Sequence, residues 1–212
     1  SLTLRKLTLE DDVTGLSLAT YTPATQLAIT PYDPLTQTGT IVSLAKSDTG
    51  ITVAALSNTR FAGLVLDNAT AAINANSSTN SGLLFEDLDV SGSRSTGIGL
   101  HLAGPNHIVR RVASNRRGSG LTANTTSNLQ ISDYTAIGCT DGLRILTLAP
   151  PAVAPTLLRL TLTDNTNALL LNAITTPLTL ADTNAIDVRR SLTGITVSGA
   201  SASLTLRDLT FD

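Results

Sequence analysis

Apolar and polar residues alternate along this chain in short stretches that return at intervals. Leu2-Thr3-Leu4-Arg5-Lys6-Leu7-Thr8-Leu9 reappears as Leu204-Thr205-Leu206-Arg207-Asp208-Leu209-Thr210-Phe211. Between them lie Phe85-Glu86-Asp87-Leu88-Asp89-Val90, Val109-Arg110-Arg111-Val112-Ala113-Ser114 and Ile131-Ser132-Asp133-Tyr134-Thr135-Ala136. A period of two predicts a strand with one buried face, and the polar pair in the middle predicts a bend. Aligning these pieces on their first apolar residue puts starts at Leu2, Leu27, Ile51, Leu83, His107, Leu129, Leu157, Leu178 and Leu204. The mean spacing is about 25 residues, the length of one supersecondary unit in a stacked array. A second marker, a small residue followed by an aliphatic one, recurs later in most units. It appears as Gly15-Leu16, Gly63-Leu64, Gly97-Ile98, Gly120-Leu121, Gly142-Leu143, Ala168-Leu169 and Gly194-Ile195.

Each unit therefore predicts three strand-like pieces. Most units are too short for a strand–helix–strand crossover of about 30 residues. Antiparallel hairpins favour Asn-Gly or Asp-Gly turns, and Asp141-Gly142 is the one such pair. Three short strands per circuit of a coil, each stacked on its counterpart in the next circuit, fit better. Variable lengths then fall in solvent-facing turns. The longest is Asn68 to Asn80, followed by Ala149 to Pro155 and Tyr32 to Thr38.

Composition narrows the interior. Hydrophobic residues make up 42% of the 212, but aromatics only 3%, with no Trp or Met. Leu, Ile, Val and Ala must fill the core. Charged residues are 14% of the chain and the net charge is −2, giving no electrostatic reason to expect nucleic acid as a partner. No apolar run reaches the length of a membrane span, so no membrane insertion is expected. Cys139 is the only cysteine, which excludes an intrachain disulfide and reads as a buried small hydrophobe. A start at Ser1 inside a strand pattern, without methionine, reads as a segment of a longer solenoid.

The apolar-x-apolar-Arg-x-Leu-Thr-apolar phrase followed by Gly-Leu-x-Leu resembles the repeat of the right-handed parallel β-helix superfamily, the pectate-lyase-like coil. Leu2–Leu9 with Gly15-Leu16-Ser17-Leu18 carries the resemblance, as does Leu204–Phe211; His107–Leu121 is a looser copy. The resemblance implies an all-β fold: one right-handed parallel β-helix domain over residues 1–212, of about eight coils. It also implies an extracellular or cell-surface location. It does not choose among lyases, hydrolases, adhesins and scaffolds. The bend position often held by Asn in such coils is here Lys6, Asp87, Arg111, Asp133 and Asp208, so no asparagine ladder is expected there.

Stacking turns repeat positions into columns about 4.8 Å apart. Asp87, Arg111 and Asp133 share one column; Glu86, Arg110 and Ser132 share the next. The alternating charges read as a register-fixing solvated face, or as a polar groove for a polysaccharide together with Arg116 and Arg117. Arg116-Arg117 also reads as a solvated turn tip. At the termini, a shift of 202 residues sets Leu4 on Leu206 and Lys6 opposite Asp208. That pairing suggests self-association end to end.

Catalytic candidates are sparse. Cys139-Thr140-Asp141-Gly142 faintly echoes a hydrolase strand, and Asp141 with Asp164 one coil on could supply the two carboxylates of glycoside hydrolysis. Glu86, Asp87 and Asp89 beside Arg110 and Arg111 make the nearest approach to a lyase, the one reading that would call for calcium. Period-two alternation places Asp87 and Asp89 on one side and Glu86 on the other. His101 and His107 have no metal-ligand spacing and read as structural. No other metal or cofactor is expected. Asn68-Ala69-Thr70, Asn76-Ser77-Ser78 and Asn124-Thr125-Thr126 match the glycosylation sequon, as Asn- and Thr-rich sequences do by chance. The favoured expectation is a non-catalytic scaffold, adhesion or fibre-forming module. The alternative is a carbohydrate-active coil acting on an acidic polysaccharide.

Overall fold

A computed structural model describes residues 48–67, 70–93, 95–147, 153–181 and 184–199. It also describes the strands Leu7–Thr8, Thr14–Ala19, Leu27–Ile29, Val42–Ser43 and Leu204–Arg207. These residues wind as an all-β parallel solenoid of about six turns, where the repeat spacing predicts about eight. Two small parallel pairs join β1 (Leu7–Thr8) to β4 (Val42–Ser43) and β16 (Leu178–Ala181) to β19 (Leu204–Arg207). The first large sheet stacks β3 (Leu27–Ile29), β6 (Thr59–Ala62), β8 (Leu84–Asp89), β10 (Ile108–Ala113), β12 (Gln130–Ile137), β14 (Thr156–Thr163) and β17 (Ile186–Asp187). The second stacks β2 (Thr14–Ala19), β5 (Thr49–Ala54), β7 (Ala71–Ala75), β9 (Ile98–Pro105), β11 (Ser119–Ser127), β13 (Asp141–Ile145), β15 (Asn167–Asn172) and β18 (Thr193–Ser198).

The interior is built from columns of like residues. Phe61, Phe85, Val109, Ile131 and Leu157 follow one another through the first sheet, and all are buried. Phe61 and Phe85 stack at 5.1 Å between ring centroids. In the second sheet Leu16, Ile51, Ile73, Leu100, Leu121, Leu143, Leu169 and Ile195 form the matching column. Fully burying each such side chain contributes about 1.5–3 kcal/mol, and both columns belong to one hydrophobic core.

A left-handed backbone position recurs within or beside the strands of the first sheet from β6 to β17. Gly63, Asp87, Arg111, Asp133, Arg159 and Ala185 occupy it on successive coils, all with φ between 50° and 64°. The kink resets the alternation. Phe85 and Leu88 are both buried, while Glu86 and Asp87 both bond Arg111 on the outer wall. Glu86 therefore joins Asp87 on the outside, against the period-two expectation.

Several of the sequence alignments need correction. Ile51 does not start a unit: it lies in the second sheet, with Gly50-Ile51 as the small–aliphatic marker of its coil. Gly63-Leu64 belongs to the bend of the first sheet, and the marker two residues after Gly97 is Gly99-Leu100. Leu178 lies outside both large sheets, although it pairs with Leu204 as the aligned starts predict. Leu206 pairs with Leu180, whereas Leu4, Lys6 and Asp208 lie outside the described residues, as do Asn68 and Ala69.

Candidate functional site

The columns of alternating charge form a ladder on the outer wall of the first sheet. Arg111 donates from Nε and Nη2 to the two oxygens of Asp87, at 2.6 and 3.0 Å. One coil on, Asp133 lies opposite Arg111 in the stack and instead takes both donors of Arg159, at 2.5 and 2.8 Å. Glu86 sits deeper: its side chain is 3% exposed, under Arg60, Arg110 and Arg111. Burial pushes the Glu86 carboxyl up, and the guanidiniums of Arg60 and Arg110 together hold it below its ordinary value. Arg111 holds Asp87 low, and Arg159 holds Asp133 low.

The corner leading into the second sheet follows a different rule. There a backbone N–H that the neighbouring strand cannot satisfy is bonded by a side chain on the next coil. The Arg117 N–H donates to Cys139 Sγ at 3.4 Å, the Cys139 N–H to Asn165 Oδ1 at 2.8 Å, and the Asn165 N–H to Ser191 Oγ at 3.2 Å. The same device bonds the Leu56 N–H to Asn80 and the Leu83 N–H to Nδ1 of buried His107. A second row runs in the opposite sense. The Asn115 N–H donates back to Ser91 Oγ and the Ile137 N–H back to Asn115 Oδ1, at 3.0 and 2.9 Å.

Arg117 is not a solvated tip or a surface binding residue: it is 1% exposed. Its guanidinium donates to the carbonyls of Val90 and Ser91 on one coil and of Leu66 on the coil before that. Gly92 makes the room, since a Cβ there would lie 3.0 Å from Arg117 Cδ. Arg116 is exposed at a left-handed position in the same turn. Cys139 is buried as expected, and it also bonds: its thiol donates to the Ser114 carbonyl at 3.1 Å. Burial pushes its pKa up, which keeps that proton in place.

The remaining candidates stand apart from one another. Asp141 lies on β13, opposite Ser119 and Asn167; it accepts from Asn167 Nδ2 at 2.7 Å and faces Arg144 Nε at 3.4 Å. Asp164 is exposed at a bend after β14 and is paired with Arg190 through both oxygens, at 2.7 and 2.6 Å. Arg190 holds its pKa low. The two carboxylates occupy different columns, each already engaged. His107 donates from Nε2 to the Ala103 carbonyl at 2.8 Å and accepts from Leu83 N–H, so its assigned form is neutral. His101 is half-buried on the outer face of the second sheet, between Asn74 and Thr122. No group of three or more His, Cys, Asp or Glu among the described residues could hold a metal ion. Nor is any helix among them long and apolar enough to cross a membrane.

Arg60, Arg159, Arg190 and the corner row were not found from sequence. Aligning Leu157 with Leu129 hides Arg159, because the true partner of Leu157 is Ile131. The charge alternation itself was the usable signal: an acidic Asp133 calls for a cation one coil on. No family profile matches this chain, and no curated protein or solved structure matches it.

Proposed function

We propose that this chain is a non-catalytic extracellular β-helical scaffold, an adhesion or fibre-forming module that presents a regular surface or stacks end to end. One observation carries the reading: the wall carboxylates that could serve a groove as acid or nucleophile are bound between coils. Asp87–Arg111, Asp133–Arg159 and Asp164–Arg190 each join one circuit to the next. A carboxylate locked in a two-point guanidinium pair is a poor general acid or nucleophile, because its proton affinity is lowered and both oxygens are occupied. The pectate-lyase-like repeat supports the extracellular placement.

The deciding experiment is a glycan array with a lyase and hydrolase screen on acidic polysaccharides. The scaffold reading expects no cleavage from the wild type, Asp141→Ala or Arg111→Ala. Cleavage by the wild type that either substitution abolishes would replace it with a carbohydrate-active enzyme. Light scattering tests the stacking: mass should rise with concentration, and a monomer at all concentrations would remove that part of the proposal.

A further inference from the structure

Along the outer ladder Asp133 pairs with Arg159, Asp164 with Arg190 and Asp187 with Arg189. At β6, β8 and β10 the described cations outnumber the carboxylates they bond. Three guanidiniums, Arg60, Arg110 and Arg111, converge there on two carboxylates, Glu86 and Asp87. The carboxylates Asp67 and Asp89 act on the buried charge of Arg117. Among the described residues that bond one another, the cluster thus holds three positive charges against two negative ones.

Its donors are also in excess. Each guanidinium offers five N–H groups in a planar fork. Arg60 bonds through Nε, and Arg110 and Arg111 through Nε and Nη2. The Nη1 edge of all three makes no hydrogen bond among the described residues. The side chains are 33%, 43% and 49% exposed, so those edges are accessible to a ligand. Glu86, buried beneath them, fixes the three forks within about two coil spacings of one another. A site arranged this way favours carboxylates, which match the fork bidentately.

We propose that the Arg60–Arg110–Arg111 face binds an acidic peptide segment of a partner protein, its Asp and Glu carboxylates taking the guanidinium edges that Glu86 and Asp87 leave free. A peptide fits better than a sugar chain. Phe61, Phe85 and Tyr134 are buried, leaving none of these rings outside for a pyranose to stack on. Half-buried Leu84 and Ile108 instead share a row with Arg60. They offer apolar contact to the aliphatic side chains between a peptide's carboxylates. The face is the same whether the coil is a passive scaffold or an enzyme, so the proposal does not depend on the preceding one.

Fluorescence anisotropy with labelled poly-L-glutamate tests it on the intact chain, at about 50 mM salt where screening is modest. Polygalacturonate is the competitor. Arg110→Gln should weaken binding about fivefold or more, and Glu86→Gln, which raises the local charge, should tighten it by a similar factor. Arg190→Gln removes the same charge from a distant pair and should change affinity less than about twofold. Circular dichroism melts confirm that each variant is folded. The proposal is overturned if poly-L-glutamate does not bind, if Arg110→Gln and Arg190→Gln weaken it equally, or if Glu86→Gln and Arg110→Gln shift affinity in the same direction. Preference for polygalacturonate would also overturn it, in favour of a sugar ligand.

Discussion

The outer ladder and the inner corner row use polar residues for opposite purposes. Asp133 and Arg159 lie in water on the wall of the first sheet, and their attraction competes with hydration. Arg117, Cys139 and Asn165 are buried at the corner, where each satisfies backbone groups that water cannot reach. The wall pairs choose which residue faces which. The corner groups satisfy backbone donors and acceptors where the chain turns from one sheet to the next. Charge on this fold is therefore a poor guide to energetic weight, since the least conspicuous polar residues hold the most.

The largest expected effect follows from Arg117→Ala. It removes a buried side chain and leaves the Val90, Ser91 and Leu66 carbonyls short of a donor. A loss of about 3–5 kcal/mol in denaturant unfolding is expected. A loss below about 1 kcal/mol would show that the corner matters no more than the wall. Asn165→Ala comes next, at about 2–3 kcal/mol, because the Cys139 N–H and the Ala136 carbonyl both lose their partner.

A third effect depends on pH. Burial holds the His107 pKa below its ordinary value, partly offset by the bond to Ala103. The unfolded chain thus takes up a proton at a higher pH than the folded one. Stability is complete above about 6.5 and falls as pH drops below it toward the folded value. The depressed carboxylates Asp87, Asp133 and Asp164 lose their contribution only below about 4. Comparing unfolding at pH 7.5 and 5, each to about 0.1 unit, isolates the histidine contribution. His107→Gln, which can keep both hydrogen bonds, should flatten the difference. His101, also lowered by burial and by Arg144, acts with the same sign, so the double variant should be flatter still. The smallest effect is expected at the wall: Arg159→Ala should move the melting midpoint by no more than about 2 °C.

Much of the coil was legible in the sequence. Alternation and recurrence identified the parallel solenoid, and the aligned unit starts placed Asp87, Arg111 and Asp133 in one column. Errors arose where turn lengths vary. Pro155 holds the place before β14 that Leu129 holds before β12, so the first apolar residue falls two places on, which hid Arg159. Gly50-Ile51 resembles the start of a bent strand and belongs to the other sheet. The corner row escaped notice because Arg117, Cys139, Asn165 and Ser191 share a place in the stack and no chemical likeness. Cys139, Asn165 and Ser191 share only an atom able to accept the N–H of the preceding coil, a property with no signature in periodicity, and Arg117 at the head of the row only donates. The inward course of Arg117 depends on the space left by Gly92, which only the folded backbone reveals.

The two corner rows also run in opposite senses. From Arg117 to Ser191 the later circuit supplies the acceptor, while from Ile137 back to Ser91 the earlier one does. A circuit in the middle is thus hooked to both neighbours by unlike fastenings. Peeling the spiral from either end must strand donors, and splicing out one circuit would leave mismatched hooks on both cut faces. Units of this chain are therefore not interchangeable beads, and shortened versions should be designed by transplanting acceptor side chains together with the turns they serve.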